Sequence, residues 1–251
     1  MEPIKIVIRI ALMVLFLGAI VFFVRFCTGI VSDPDKGMVG DGNLVRRNIP
    51  VEQAFQSVEV SGSINVYLRQ GSPAVIQVLA DSNLQPFLDF RFDGGELIIR
   101  HKQPLRLSKT AKVMITAPDL KGIEVEGAAE IRIPDTLRTE SFELDIKGAA
   151  MADLLLDCKD LKASVSGAGE IRLKGRAERA TTRINGAGNL KAADFLIRSH
   201  DLRINGAGDA RTLVTDTLRA TINGAGKIEY KGSPVVIPDI NGVGSVKALG
   251  E

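Results

Sequence analysis

Two histidines, two cysteines and scattered carboxylates are what this 251-residue sequence offers to chemistry. Ser199-His200-Asp201 has the composition of a nucleophile, a base and an orienter. Neighbours on a strand point to opposite faces, so three consecutive residues cannot converge, and the trio is not read as a triad. Cys27 and Cys158 form neither a CxxC pair nor a zinc spacing, and Cys158 is expected to be a buried structural thiol. Polysaccharide lyases and hydrolases need clustered carboxylates, or calcium with a basic residue. Glu130, Glu170 and Asp209 follow similar glycine-rich corners, but Asn189 and Lys227 hold the equivalent places and dilute them. Gly-x-Gly never opens a helix here, which removes a phosphate loop. No catalytic residue, metal site or cofactor is expected, and the chain is not read as an enzyme.

One charged column stands out. Arg132, Arg172, Lys191, Arg211, Glu229 and Lys247 occupy equivalent outward positions after six of the seven corners. Its basic members, Arg132, Arg172, Lys191, Arg211 and Lys247, form a candidate stripe for an anionic glycan, a lipid phosphate or an acidic envelope-protein partner. The bland alternative is a solvated strand face with interleaved acids. Nucleic acid is not an expected partner, because Lys+Arg 32 against Asp+Glu 30 leaves a net charge of only +2. A sugar cleft built on aromatic platforms starts at a discount, with no Trp and 2 Tyr.

The elements that would carry these residues are written in a repeat. Ile184-Asn185-Gly186-Ala187-Gly188 recurs at Ile204–Gly208 and Ile222–Gly226, and as Ile240-Asn241-Gly242-Val243-Gly244. Weaker versions lie upstream, so that leading glycines fall at positions 127, 148, 167, 186, 206, 224 and 242 in a nearly even beat. Apolar residues alternate on both sides of each corner, as in Leu161, Ala163, Val165 and then Ile171, Leu173. Period two means strand. A rung of this length without a helix holds three short strands and three turns, which predicts a parallel β-helix. Asparagine directly after isoleucine excludes a leucine-rich repeat, and a lysine among the would-be acidic positions excludes calcium-binding nonapeptide coils. At the corner, Gly186, Gly206, Gly224 and Gly242 supply the tight turn, with alanine leaving room beside them. Asn185, Asn205, Asn223 and Asn241 are expected to stack as an amide ladder of structural rather than ligand-binding purpose.

The N-terminus differs. Ile10 to Val24 carries no charge, Lys5 and Arg9 precede it, and Arg25 follows. Residues 1–31 are therefore expected to be an uncleaved signal anchor, one transmembrane helix meeting the membrane through 4–31. That places the N-terminus in the cytoplasm and the domain beyond a bacterial inner membrane, in the periplasm; the alternative is secretion after cleavage of a signal peptide. Residues 32–50 read as linker and 51–251 as the domain, with N-terminal coils over 51–120 and glycine-cornered repeats over 121–251. An open strand edge in the final coil predicts self-association there, or a partner protein.

These corners resemble the head GIN domain family of autotransporter adhesins. Phe55-Gln56-Ser57-Val58-Glu59-Val60-Ser61-Gly62-Ser63-Ile64-Asn65-Val66, then Gln70-Gly71, fit its pattern upstream. So do Asp93-Gly94-Gly95-Glu96-Leu97-Ile98-Ile99 and Ile115-Thr116-Ala117-Pro118-Asp119-Leu120. The resemblance spans roughly 50–249 and implies an extracytoplasmic, right-handed β-helix of the cell envelope. Nothing in the chain resembles an autotransporter translocation barrel, and family membership speaks for fold more than for activity. The expected function is a non-catalytic, membrane-tethered envelope module for binding, adhesion or scaffolding. A polysaccharide-active enzyme and a self-assembling envelope rod are the alternatives.

Overall fold

A computed structural model describes residues 37–249. Of the two units into which the chain divides, Val39–Glu251 carries the described fold. Its elements are strands, with one short 3-10 turn at Gln85–Phe87. After β1 (Met38–Val39) come β2 (Leu44–Ile49), β3 (Ser57–Ser61), β4 (Ile64–Gln70) and β5 (Val75–Asp81). They are followed by β6 (Leu88–Asp93), β7 (Glu96–His101), β8 (Leu105–Arg106) and β9 (Ala111–Ala117). Two long extended runs finish the chain: β10 (Gly122–Lys231), which turns at its glycine corners so that each corner lies over the one before, and β11 (Val235–Ala248).

Alternation explains why these segments are strands. In β4 the side chains of Ile64, Val66 and Leu68 point inward and are fully buried, while Asn65 and Tyr67 between them face out. Along β10 the same beat continues through Leu154, Leu156, Leu161, Ala163 and Val165 to Ile222 and Ile228, all at or near zero exposure. One continuous apolar core results, with Phe142 and Phe195 as its largest buried side chains. Each such side chain contributes about 1.5–3 kcal/mol of transfer free energy, so the inward row and not the polar surface holds the fold.

The strands run β2-β5-β9-β4-β10-β3-β7-β6 within one sheet, with β11 added to β10. β10 pairs in parallel with β3, β4 and β11, and β3–β7 and β4–β9 are parallel too. In contrast, β2–β5, β5–β9 and β6–β7 are antiparallel. This corrects the expected fold class. The sheet is a mixed, nearly closed barrel around its core and not a right-handed parallel β-helix built of uniform coils over 51–251. The physical reason is visible at Gly94-Gly95. Both take positive φ, +56° and +86°, and together they make the two-residue turn that folds β6 back on β7 from Asp93 to Glu96. The hairpin sets an antiparallel pair, β6–β7, directly beside the parallel pair β7–β3, so the region 51–120 departs from the all-parallel coil pattern.

The second correction concerns the membrane. Among the described residues no helix is long and apolar enough to cross a bilayer. The described fold therefore gives no support to a single-pass inner-membrane protein with a transmembrane helix. The segments on which that expectation rested, 1–31 and the contact through 4–31, lie outside the described residues.

Candidate functional site

The glycine corners lie directly over one another. Gly127, Gly148, Gly167, Gly186, Gly206, Gly224 and Gly242 all take φ between +124° and +137°. A side-chain carbon on any of the last six would press into the carbonyl oxygen of the glycine one turn earlier. The alanine is not in the crowded place. Ala187, Ala207 and Ala225 are exposed, and Val243 stands in their position at 84% exposure. The second glycine is the enclosed one: a Cβ on Gly188 would lie 2.9 Å from the Ile184 side chain.

Beside the glycines the four asparagines form a chain of amides. Asn205 donates from Nδ2 to Asn185 Oδ1 at 2.8 Å, Asn223 to Asn205 at 2.7 Å, and Asn241 to Asn223 at 3.1 Å. Asn241 Nδ2 also reaches Asp239 Oδ1 at 3.2 Å. Every donor points back toward the N-terminal side of the column.

The basic stripe is interleaved with acids. Arg132 Nε donates to Glu130 at 2.7 Å, and Arg172 also pairs with the acid two residues before it, Glu170. Lys191 reaches the same Glu170 from the next turn at 2.7 Å. Arg211 binds Glu229 at 2.8 Å, and Lys247 lies in register beside that glutamate without an ion pair among the described residues. Both glutamates are held below the usual carboxylate range by hydrogen bonds from lysine and arginine. The structure thus brings Arg172 to Lys191, and Arg211 to Lys247, but each pair around a carboxylate.

Elsewhere charges pair from turn to turn. Arg176 grips Asp157 through Nε and NH2 at 2.9 and 3.0 Å, and Arg179 grips Asp160 at 2.6 and 2.7 Å. Lys159 meets Glu140 at 2.7 Å. The Arg176 and Lys159 pairs line a groove of ≈ 970 Å³ whose floor includes Cys158. Burial pushes that thiol up to about 12, so it is not a thiolate nucleophile at neutral pH. His200 is fully enclosed, with its ring nitrogens 3.0 Å from the hydroxyls of Thr182 and Thr212. Burial lowers its pKa to about 3. Ser199 and Asp201 lie on the opposite, half-exposed face. No group of three or more metal-binding side chains occurs among the described residues.

One groove is different, and no motif or spacing in the sequence signals it. It lies on the outer face of β2, β5, β9 and β4 and is lined by Arg46, Tyr67, Arg69, Leu79, Lys112 and Met114 among others, with no acid. The outward positions of these strands could be read from alternation, but their lateral order could not, because hairpin and parallel pairings are mixed.

Comparison with known proteins now places the chain. The profile of the family described as "Putative auto-transporter adhesin, head GIN domain" matches residues 54–234. The chain belongs to that family. Solved structures similar to this GIN domain include a "putative adhesin" from Bacteroides fragilis, 26% identical, covering 85% of this chain and 100% of that one at a TM-score of 0.81. A "putative adhesin" from Parabacteroides merdae is 24% identical, over 85% of this chain and 99% of that one, with a TM-score of 0.68. A "putative lipid binding protein" from Parabacteroides distasonis is 24% identical over 86% of this chain and 100% of that one, with a TM-score of 0.70. No curated protein matches. None of these relatives carries the name of an enzyme, and the two from Parabacteroides are distant enough in sequence to speak for the fold alone.

Proposed function

We propose that this GIN domain is a non-catalytic binding module that engages a protein surface through β11. The observation that carries the reading is the composition of that strand. Val235, Ile237, Ile240 and Val243 are 66%, 42%, 41% and 84% exposed, although a folded domain ordinarily keeps such side chains inside. β11 pairs with β10 along one edge, and no described strand covers the other. An apolar strand with an open edge offers backbone hydrogen bonds for affinity and side chains for specificity, the means by which strand-adding partners dock. The sealed His200, the protonated Cys158 and the turn-to-turn ion pairs support binding over catalysis.

The partner can be a second copy of the domain or another protein. Light scattering on the full chain with Val235→Lys and Val243→Lys tests this. Loss of self-association, or loss of capture by a partner, is the expected result while the melting temperature holds. Unchanged association in both variants would remove β11 from the interface. The basic stripe supports a second, weaker reading, an anionic ligand held at low salt. Reversing Arg172, Lys191 and Arg211 to Glu is expected to abolish any salt-sensitive binding to acidic glycans.

A further inference from the structure

The groove on β2, β5, β9 and β4 differs from the rest of the surface in its charge. The groove around Cys158 carries Asp119, Glu140, Asp157 and Glu178, and a neighbouring one carries Glu124, Glu143, Asp145 and Asp160. Here there is no carboxylate in the lining, and three cations instead. Arg69 is paired with Asp135 at 3.4 Å, but Arg46 and Lys112 have no ion pair among the described residues.

Their placement is fixed by register. Arg46 on β2 lies opposite Leu79 on β5, and Leu79 lies opposite Lys112 on β9. The two cations therefore flank one leucine across three strands, their backbones roughly 10 Å apart. Side chains of this length can bend inward over Leu79 and meet on a single anion. One row along, Gln77, Met114 and Tyr67 are aligned, and beyond them Val75, Thr116 and Arg69. From the leucine row to the valine row is four residues of strand, roughly 13 Å. Leu79, Met114, Tyr67 and Val75 give that path an apolar floor, and Val75 at its far end is 38% exposed.

We propose that this groove binds a single-chain anionic amphiphile, with its head between Arg46 and Lys112 and its acyl chain along Leu79, Met114, Tyr67 and Val75. Three features select this ligand. Two unpaired cations demand an anion, because like charges held together gain from a shared counter-charge. An apolar floor about one acyl chain long adds transfer free energy for each methylene it covers. A volume of ≈ 550 Å³ suits one small ligand. An acidic oligosaccharide fits less well, since the floor offers it only the Gln77 amide and the Tyr67 and Thr116 hydroxyls against a larger apolar area. The head is a carboxylate or a phosphate; both present oxygens to a guanidinium and an ammonium. This site is separate from β11 and does not depend on the reading given to that strand.

Calorimetric titration of the full chain with dodecanoate and with dodecyl phosphate, each below its micelle concentration, tests the assignment. Dodecyl maltoside, inorganic phosphate and a galacturonate oligomer serve as comparators. Saturable binding of one or both anionic amphiphiles is expected, and the stronger of the two names the head. Combined Arg46→Gln and Lys112→Gln should weaken it about tenfold, as removal of charge-assisted hydrogen bonds does. Val75→Asp, at the chain end, should weaken the amphiphile without touching the head contacts, and Arg198→Gln, outside the groove, should change nothing. Melting temperatures of the variants confirm folding. Equal affinity for the maltoside, binding unaltered in the Arg46/Lys112 pair, or binding of the galacturonate oligomer in place of the amphiphiles would each overturn the proposal.

Discussion

At Gly206 two independent constraints fall on one atom. Its φ of +131° is a conformation that L side chains rarely adopt, and a Cβ there would press into the backbone oxygen of Gly186. Neither can be relieved by a rotamer, because the obstructing atom is main chain. Gly206→Val should therefore destabilise the domain by about 3 kcal/mol or more. In a domain of this size that lowers the melting temperature by about 10 °C. A thermal melt showing no change would mean that the corner relaxes. This position was legible from the sequence, since only a residue without a side chain explains a glycine that returns on so even a beat. The role of alanine was not. Ala187, Ala207 and Ala225 are exposed, and Val243 shows that the place admits a larger side chain.

Within the elements, the asparagine column binds successive turns of β10 and then β11. Asn205 stands in its middle, donating to Asn185 and accepting from Asn223, whereas Asn185 accepts one amide and donates to none in the column. Asn205→Ala should cost about 1–2 kcal/mol, and Asn185→Ala about half as much, since one hydrogen bond is lost instead of two and water can reach the exposed partners. Chemical denaturation of both variants checks the ratio; equal losses would show that the column is not coupled. Identical residues at a fixed spacing made this ladder readable in advance. The elements of 39–117 were readable only as strands. Alternation at Val58, Val60, Ile64 and Val66 states that these residues face inward, but it is the same for a parallel neighbour and an antiparallel one. The two-residue turn at Gly94-Gly95 held the missing information about direction. The acid-free groove inherits that difficulty, because Arg46, Leu79 and Lys112 become neighbours only once β2, β5 and β9 are known to be adjacent.

For the folded unit as a whole, acid is the condition that separates its buried and paired groups. Burial lowers the pKa of His200 to about 3 and also lowers that of His101. An unfolded histidine takes up its proton near pH 6.5, while folded His200 stays neutral between its two threonine hydroxyls. Its contribution is thus fully present above pH 6.5 and is lost as pH falls from 6.5 toward about 3. Within that window a single such proton sets the slope of stability against pH. Below about pH 4.5 a second set joins it. Asp81, Asp157, Asp160, Glu170 and Glu229 all have pKa values below their ordinary ones: arginine, lysine or the serine and backbone donors around Asp81 favour the ionised form. Carboxylates depressed in this way stabilise the fold above their unfolded pKa and lose that effect as pH drops through the folded one. Asp145 runs the other way, raised by burial, and so gains slightly on acidification. Stability should be flat from about pH 7 to 8, fall with a one-to-two-proton slope between about pH 6.5 and 4.5, and fall more steeply below. His200→Gln keeps a hydrogen-bonding side chain between Thr182 and Thr212 but cannot charge, so it should reduce the slope in the upper window and leave the steep acid limb intact. Urea midpoints across that range measure both parts. A wild-type curve that is flat down to about pH 4.5 would mean that water reaches the imidazole and protonates it within the fold.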